Sequence, residues 1–342
     1  MSNFIEASAT SEVGRAFTPA PETMATRFGT LEFPGGYPTD ETVRRVYDEL
    51  DLQRATQLYL DMYPALSAHG LMKGWVRDLG MTDSARSNVT ADRLESSARV
   101  LTGNTESLYA FAVFDLKKDG PMVFEVPPGV MGPLDDHNFL FVADIGPTGQ
   151  DRGEGGKYLL LPPGYDGDVP DGYFAVRSAT YCNFSFIRAN ADVVGYGDKA
   201  LEFYREHAKI YPLGAGPRPP VVKNITGIAW NSLVPEDASA FEAMHEIIDY
   251  EPAEAFGREL LGRLASLGIE KGKPFDPDAR LQGILEQAAQ QGVAMSRVIA
   301  FDCRDDEATV YPNRKWESPY VTNNSTFHRD DHIALEARTV FH

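Results

Sequence analysis

The stretch GNTESLYAFAVFDL, residues 103–116, decides how the rest of the chain is read. Leu108, Ala110 and Ala112 alternate with Tyr109, Phe111 and Val113. A run that is apolar on both alternating faces predicts a strand buried on both sides. Similar runs follow: MVFEV (122–126), stopped by Pro127 and Pro128, then HNFLFVADIG (137–146), KYLLL (157–161), YFAVRSA (173–179) and CNFSFIRA (182–189). Turn-rich passages separate them, PTGQDRGEGG (147–156) and PPGYDGDVPDG (162–172). Short strands punctuated by Gly, Pro and Asp predict an antiparallel sheet or sandwich.

Helical spacing brackets this β region. Thr39 is placed to cap a helix, with Asp40 and Glu41 at its positive end and Val43, Val46, Tyr47 and Leu50 on one face. Leu58, Tyr59 and Met62 continue it to Pro64, and a second helix is expected over Ala65–Leu79. Further on, DKALEFYREHAKIYP (198–212) reads as one helix, GAGPRPPVV (214–222) as an extended linker, and Asp237–Tyr250, Ala253–Leu267 and Pro277–Phe301 as a helical block. Within it, Gly268 closes one helix and Asp276 is expected to cap the next, with Pro277 in its first turn. The fold class is α+β. Residues 1–27 are expected to form a loose arm, 28–212 a mostly β domain with N-terminal helices, 213–304 a linker and helical block, and 305–342 a segment of mixed pattern.

The 342 residues carry a net charge of −18, with 43% hydrophobic and 24% charged residues. That balance argues against nucleic acid and anionic membranes, whose phosphates need clustered Lys and Arg. It suits a small-molecule or protein partner. The two cysteines, Cys182 and Cys303, are too few for a disulfide framework, and Cys182 sits in an apolar context. The start of the chain lacks an export signal, and no run is long enough to span a bilayer, so a cytoplasmic protein is expected.

Several familiar constellations are missing. The loop Gly153-Glu154-Gly155-Gly156-Lys157 lacks the spacing of a phosphate loop. Among seven histidines there is no HExxH or HxH, and His328 and His332, four apart, read as surface residues. No GxSxG elbow occurs. The acids are more promising. Glu106 precedes the buried strand, where polar groups often line a pocket. Asp135, Asp136 and Asp144 flank a strand, and an oxygen-rich set of Glu106, Asp136 and Asp144 is a candidate site for Mg²⁺, Mn²⁺ or Ca²⁺.

Four segments carry a resemblance: GNTESLYAFAVFDL (103–116), GPMVFEVPPGVMGPLDD (120–136), DIGPTGQDRGEGGKYLLLPPGYDGDVPDGYFAVRS (144–178) and GIEKGKPFDPDAR (268–280). From about Phe28 onward the chain resembles the bacterial family called domain of unknown function 1254. The resemblance implies a mostly β domain, helical connections and, in longer relatives, a following β-sandwich called domain of unknown function 1214. LEARTVF (335–341) resembles the start of that sandwich, so the resemblance implies that residues 305–342 begin a second β domain that is incomplete. The chain stops at His342, where relatives continue, so either the product is truncated or a partner chain, or a second copy, is expected to supply the sandwich. One branch is similar to hydrolases of long-chain alkyl sulfate esters, working through a tunnel with a divalent metal. Asn104, Thr105, Leu108 and Tyr109 match the family's Asn-x-Asp-Thr-Leu-Tyr pattern with one spacer missing, and Glu106 stands near its Asp. The resemblance therefore assigns Glu106, Asn104 and Tyr109 to catalysis, and Lys157 and Arg188 to an anionic head group. Leu140 departs from a family Arg, losing a bidentate anion fork. A hydrolase for an ester or alkyl sulfate ester with an apolar tail is expected. The alternative is a non-catalytic binding or assembly protein.

Overall fold

The computed structural model describes residues 21–100, 103–318, 320–321 and 324–340. It divides into two units, residues 1–51 and 52–342. In the first, Thr23–Thr26 and Gly29–Glu32 form an antiparallel hairpin. The expected loose arm therefore ends in ordered β structure; its residues 1–20 lie outside the described residues. Gly29 has φ of 114°, open to glycine and costly for other residues. Thr39 Oγ1 accepts the Thr42 N–H at 3.2 Å, as its capping role predicts. The helix it opens, Asp40–Asp61, continues into the second unit.

Among the described residues the second unit holds two large sheets and a two-stranded pair, Ala98–Arg99 with Trp230–Asn231. The larger has six strands in the order Val221–Asn224, Arg86–Val89, Leu108–Asp115, Cys182–Ala189, Val130–Asp136 and Phe141–Ile145. The smaller has four, Phe174–Arg177, Gly156–Leu161, Met122–Val126 and Lys209–Pro212. Most pairs are antiparallel, as expected. Three are parallel: Phe174–Arg177 beside Gly156–Leu161, Val221–Asn224 beside Arg86–Val89, and the short pair Trp230–Asn231 beside Ala98–Arg99. The last strand of each sheet corrects a reading of the sequence. The helix from Asp198 ends at His207, and Lys209–Pro212 pairs with Met122–Val126. Pro212 and the β-branched Ile210 suit an edge strand better than a helix end. Part of the expected linker likewise pairs as Val221–Asn224.

Strict alternation explains the core. Leu108, Ala110, Ala112 and Phe114 share one face with Ile187, Val130 and Leu134. They pack with Phe124, Tyr158 and Ile210 of the smaller sheet, giving a sandwich. The opposite face presents Tyr109, Phe111, Phe184 and Phe186 to Leu71 and Trp75 of the helix Tyr63–Leu79. Burial of each such ring contributes roughly 1.5–3 kcal/mol. Glycine lets that helix come close. A Cβ on Gly74 would lie 2.4 Å from the Asn231 carbonyl, and one on Gly70 2.7 Å from that of Ser232.

A third cluster joins Tyr59 and Leu66 to Phe241, Met244, Ile247, Leu264 and Leu285 of the helical block. Its long helix spans Ala279–Phe301, and Asp278, not Asp276, caps it through the Leu281 N–H. Residues 335–340, expected to begin a β domain, form a short helix. Among the described residues no helix is long and apolar enough to cross a membrane.

Candidate functional site

The aromatic face of the larger sheet does not pack solid. It borders a chamber of about 600 Å³. Period-2 geometry selects the side chains that reach it. Arg188 pairs with Tyr109 and Met131, and Phe186 with Phe111, so all five face the same side. Pro133 pairs with Asp144, adding the outer strands. Leu71 and Trp75 line it from the helix, and Tyr320 and Phe327 from the C-terminal segment.

The polar part of this lining is small and mixed in charge. Asp135 is 7% exposed and borders the chamber. Burial, reinforced by Asp136 and Asp144, holds its carboxyl well above the usual range, with Arg338 opposing. Burial in turn lowers Arg338 to about 10, against the pull of Asp136 and Asp135. Burial raises the Tyr320 phenol, Asp135 and Asp144 add to the rise, and Arg188 opposes it. Tyr320 thus lies within the field of Asp135, Asp144 and Arg188 together. These four make a polar pole in a greasy chamber.

A carboxyl whose folded pKa is raised favours folding with its proton on. That stability is full below the unfolded value and is lost as pH rises through the folded one. Asp135→Asn removes the dependence. We expect it to raise the melting temperature at about pH 8, with the gain shrinking toward about pH 4. Thermal unfolding across that range checks this; a constant or inverted difference would contradict it.

The residues expected from the sequence divide. Tyr109, Arg188 and Asp144 line the chamber. Asn104 lies beside it as a turn residue: its Oδ1 accepts the Glu106 and Ser107 N–H groups, both at 2.9 Å. Its own N–H donates to the Tyr109 hydroxyl at 3.3 Å. Glu106 corrects the expectation. Its side chain is 76% exposed, faces Arg93 at 3.9 Å and does not line the chamber. The polar loop turns it outward before the apolar alternation begins. Lys157 is also elsewhere, on the smaller sheet, paired with Glu125 at 3.5 Å.

Asp136 faces away from Asp135 and closes a tight turn. Its Oδ1 accepts the N–H groups of Asn138 (2.8 Å) and Leu140 (2.9 Å), while burial raises its carboxyl to about 6. The oxygen set Glu106, Asp136 and Asp144 does not assemble. Among the described residues, the group that could hold a metal is His137, Cys182 and Glu251, whose donor atoms all lie within 4.8 Å of one another. Glu106, Asp136 and Asp144 therefore do not fit a shared Mg²⁺, Mn²⁺ or Ca²⁺.

This second constellation was hidden in the sequence. His137 lies in the turn after Val130–Asp136, not in a strand. Its Nδ1 is 2.7 Å from Glu251 Oε1, and its Nε2 is 3.1 Å from His69 Nδ1. His69 Nε2 is 3.2 Å from Glu246, which Lys73 holds at 2.6 Å. Burial, then the neighbouring His137, pushes His69 down to about 3. Glu251 is fully buried at the end of the helix Ser239–Tyr250 and accepts the backbone N–H groups of Tyr181 and Cys182. Burial, then Glu251, raises the Cys182 thiol. His328 and His332 are exposed, as expected.

Residues 85–212 match the model of a family described as a protein of unknown function (DUF1254). They span most of the two-sheet core. No curated protein matches the chain. Among solved structures, the VPA0106 protein from Vibrio parahaemolyticus aligns with a TM-score of 0.54 at 15% identity, over 85% of this chain and 65% of that one. An uncharacterized protein from Burkholderia cenocepacia aligns at 14% identity over 75% of this chain and 58% of that one, with a TM-score of 0.26. The Vibrio likeness shows the fold. This chain spans about 65% of the Vibrio chain's length.

Proposed function

We propose that the chamber binds a small molecule with an apolar tail and an anionic or hydrogen-bonding head. The observation that carries this reading is the aromatic lining with one polar pole, Arg188, Asp135, Asp144 and Tyr320. Ligand pockets are mostly apolar, with a few convergent polar groups that fix orientation. The tail would lie against Phe111, Phe186 and Trp75, and the head at Arg188. Trp75 makes binding observable, because a ligand against its indole changes intrinsic fluorescence. Titration with a dodecyl-chain carboxylate tests it, and flat fluorescence at every concentration would count against it.

Hydrolysis of an ester or alkyl sulfate ester is the second reading. The buried carboxyl of Asp135 beside Asp144 favours it, because such pairs divide acid and base roles between them. In this scheme Asp144 takes a proton from the attacking water, and Asp135 gives one to the leaving alkoxide. Arg188 steadies the charge that develops on the head group. We expect Asp144→Asn to lose at least about 100-fold in turnover, on the scale of general acid–base catalysis. Glu106→Gln should change neither turnover nor binding. The reverse pattern would return the chemistry to the outer loop. A resemblance to the alkyl sulfatase branch supports the choice of substrates. The free thiols Cys182 and Cys303 suit a reducing, cytoplasmic setting.

A further inference from the structure

We propose that His137 Nδ1, Cys182 Sγ and the Glu251 carboxylate bind one divalent ion of the zinc class, at a site separate from the chamber reading. Three elements meet there: the turn after Val130–Asp136, the start of the strand Cys182–Ala189, and the end of the helix Ser239–Tyr250. All the donor atoms lie within 4.8 Å of one another. An imidazole, a thiol and a carboxylate form a mixed N, S, O set. That set suits Zn²⁺ and its probe Co²⁺, whereas Mg²⁺ and Ca²⁺ prefer oxygen alone.

Hydrogen counting supplies an independent argument. The ring planes of His69 and His137 are within 12° of parallel, with centroids 5.3 Å apart. Their facing nitrogens are only 3.1 Å apart, so they meet edge to edge. Each neutral imidazole has a single N–H. Glu246 is an acceptor held by Lys73, so His69 Nε2 donates to it. His69 Nδ1 is then a lone pair, and His137 Nε2 donates to it. That leaves the lone pair of His137 Nδ1 pointing at Glu251 Oε1, 2.7 Å away. With both rings neutral, two acceptors face each other across a gap that either a proton or a metal ion would fill. The arrangement beyond the ligand is what metal-binding histidines commonly have: the far nitrogen held by a hydrogen-bonded, carboxylate-anchored partner. Glu251 is oriented by the Tyr181 and Cys182 N–H groups, and the latter brings the thiol to the same point.

The balance is simple. The ion brings two positive charges, Glu251 contributes one negative charge, and the Cys182 thiol releases its proton to water on forming the metal–sulfur bond. The site ends neutral, with His137 as the uncharged ligand, and one proton leaves per ion bound.

The test uses the full chain, stripped with chelator and titrated with Co²⁺. We expect about one ion per chain and a near-ultraviolet thiolate-to-cobalt charge-transfer band, displaced by Zn²⁺ and indifferent to excess Mg²⁺. Cys182→Ser should abolish the band. His69→Gln, which leaves all three ligands in place, should weaken Co²⁺ binding by about 10- to 100-fold. Zn²⁺ should also raise the melting temperature of the unaltered chain. Absence of the band together with no Zn²⁺ stabilisation would overturn the proposal and leave a proton as the occupant of the gap. A band that survives Cys182→Ser would overturn it too.

Discussion

Glu251→Ala is expected to lower the free energy of unfolding by about 2–6 kcal/mol, the cost of leaving two buried backbone donors without acceptors. Glu251 has no exposed surface, and its two oxygens serve the Tyr181 and Cys182 N–H groups and face His137 Nδ1. Truncation would leave two backbone donors without acceptors inside protein, each costing about 1–3 kcal/mol. It would also detach the helix Ser239–Tyr250 from the turn and strand that it now ties together. Glu251→Gln keeps one carbonyl oxygen and should lose less. Denaturant unfolding measures both. A loss below about 1 kcal/mol for the alanine variant would mean that the cluster is solvated rather than sealed.

Much of the sandwich was legible because its strands obey one rule. The alternation in Leu108–Val113 identifies a strand buried on both faces, and the register with Cys182–Ala189 places Tyr109 and Phe111 together. The chamber's aromatic lining follows from that alternation. What the sequence hid were turns and faces. Asp135 and Asp136 are neighbours of the same type, yet one borders the chamber and the other closes a turn. A shift in register between Leu134 and Asp135 lies at that point, and composition does not show it. Phe139 has φ of 54°, unusual for an aromatic residue, which marks how tightly the turn carrying His137 is wound. His69, His137, Cys182 and Glu251 are scattered over 183 positions of the chain, so no spacing motif could join them. Glu106 misled because a polar residue before a buried strand can turn either way. Its loop, fixed by Asn104, turns outward.

Leu71→Trp and Arg188→Gln carry the largest expected effects on binding. Leu71 lines the chamber, and an indole there would occupy the space proposed for the tail. We expect a loss of at least about 100-fold in affinity for a dodecyl-chain carboxylate, equivalent to about 2.7 kcal/mol or more. Arg188 is exposed on the strand, so its replacement leaves the core intact. Losing a charge-assisted hydrogen bond of about 1.5–3 kcal/mol predicts about 10- to 100-fold weaker binding of the carboxylate. The matching uncharged dodecyl alcohol should be affected much less by Arg188→Gln and as strongly by Leu71→Trp. That contrast separates head from tail.

The most direct measurement is the titration of the unaltered chain and Leu71→Trp with that carboxylate, below its micelle concentration, followed by calorimetry. The chamber account predicts saturable binding at one site per chain, abolished or displaced at least about 100-fold by the added indole. Saturable binding of equal strength in both proteins would place the ligand elsewhere and contradict the account, as would the absence of any heat in either.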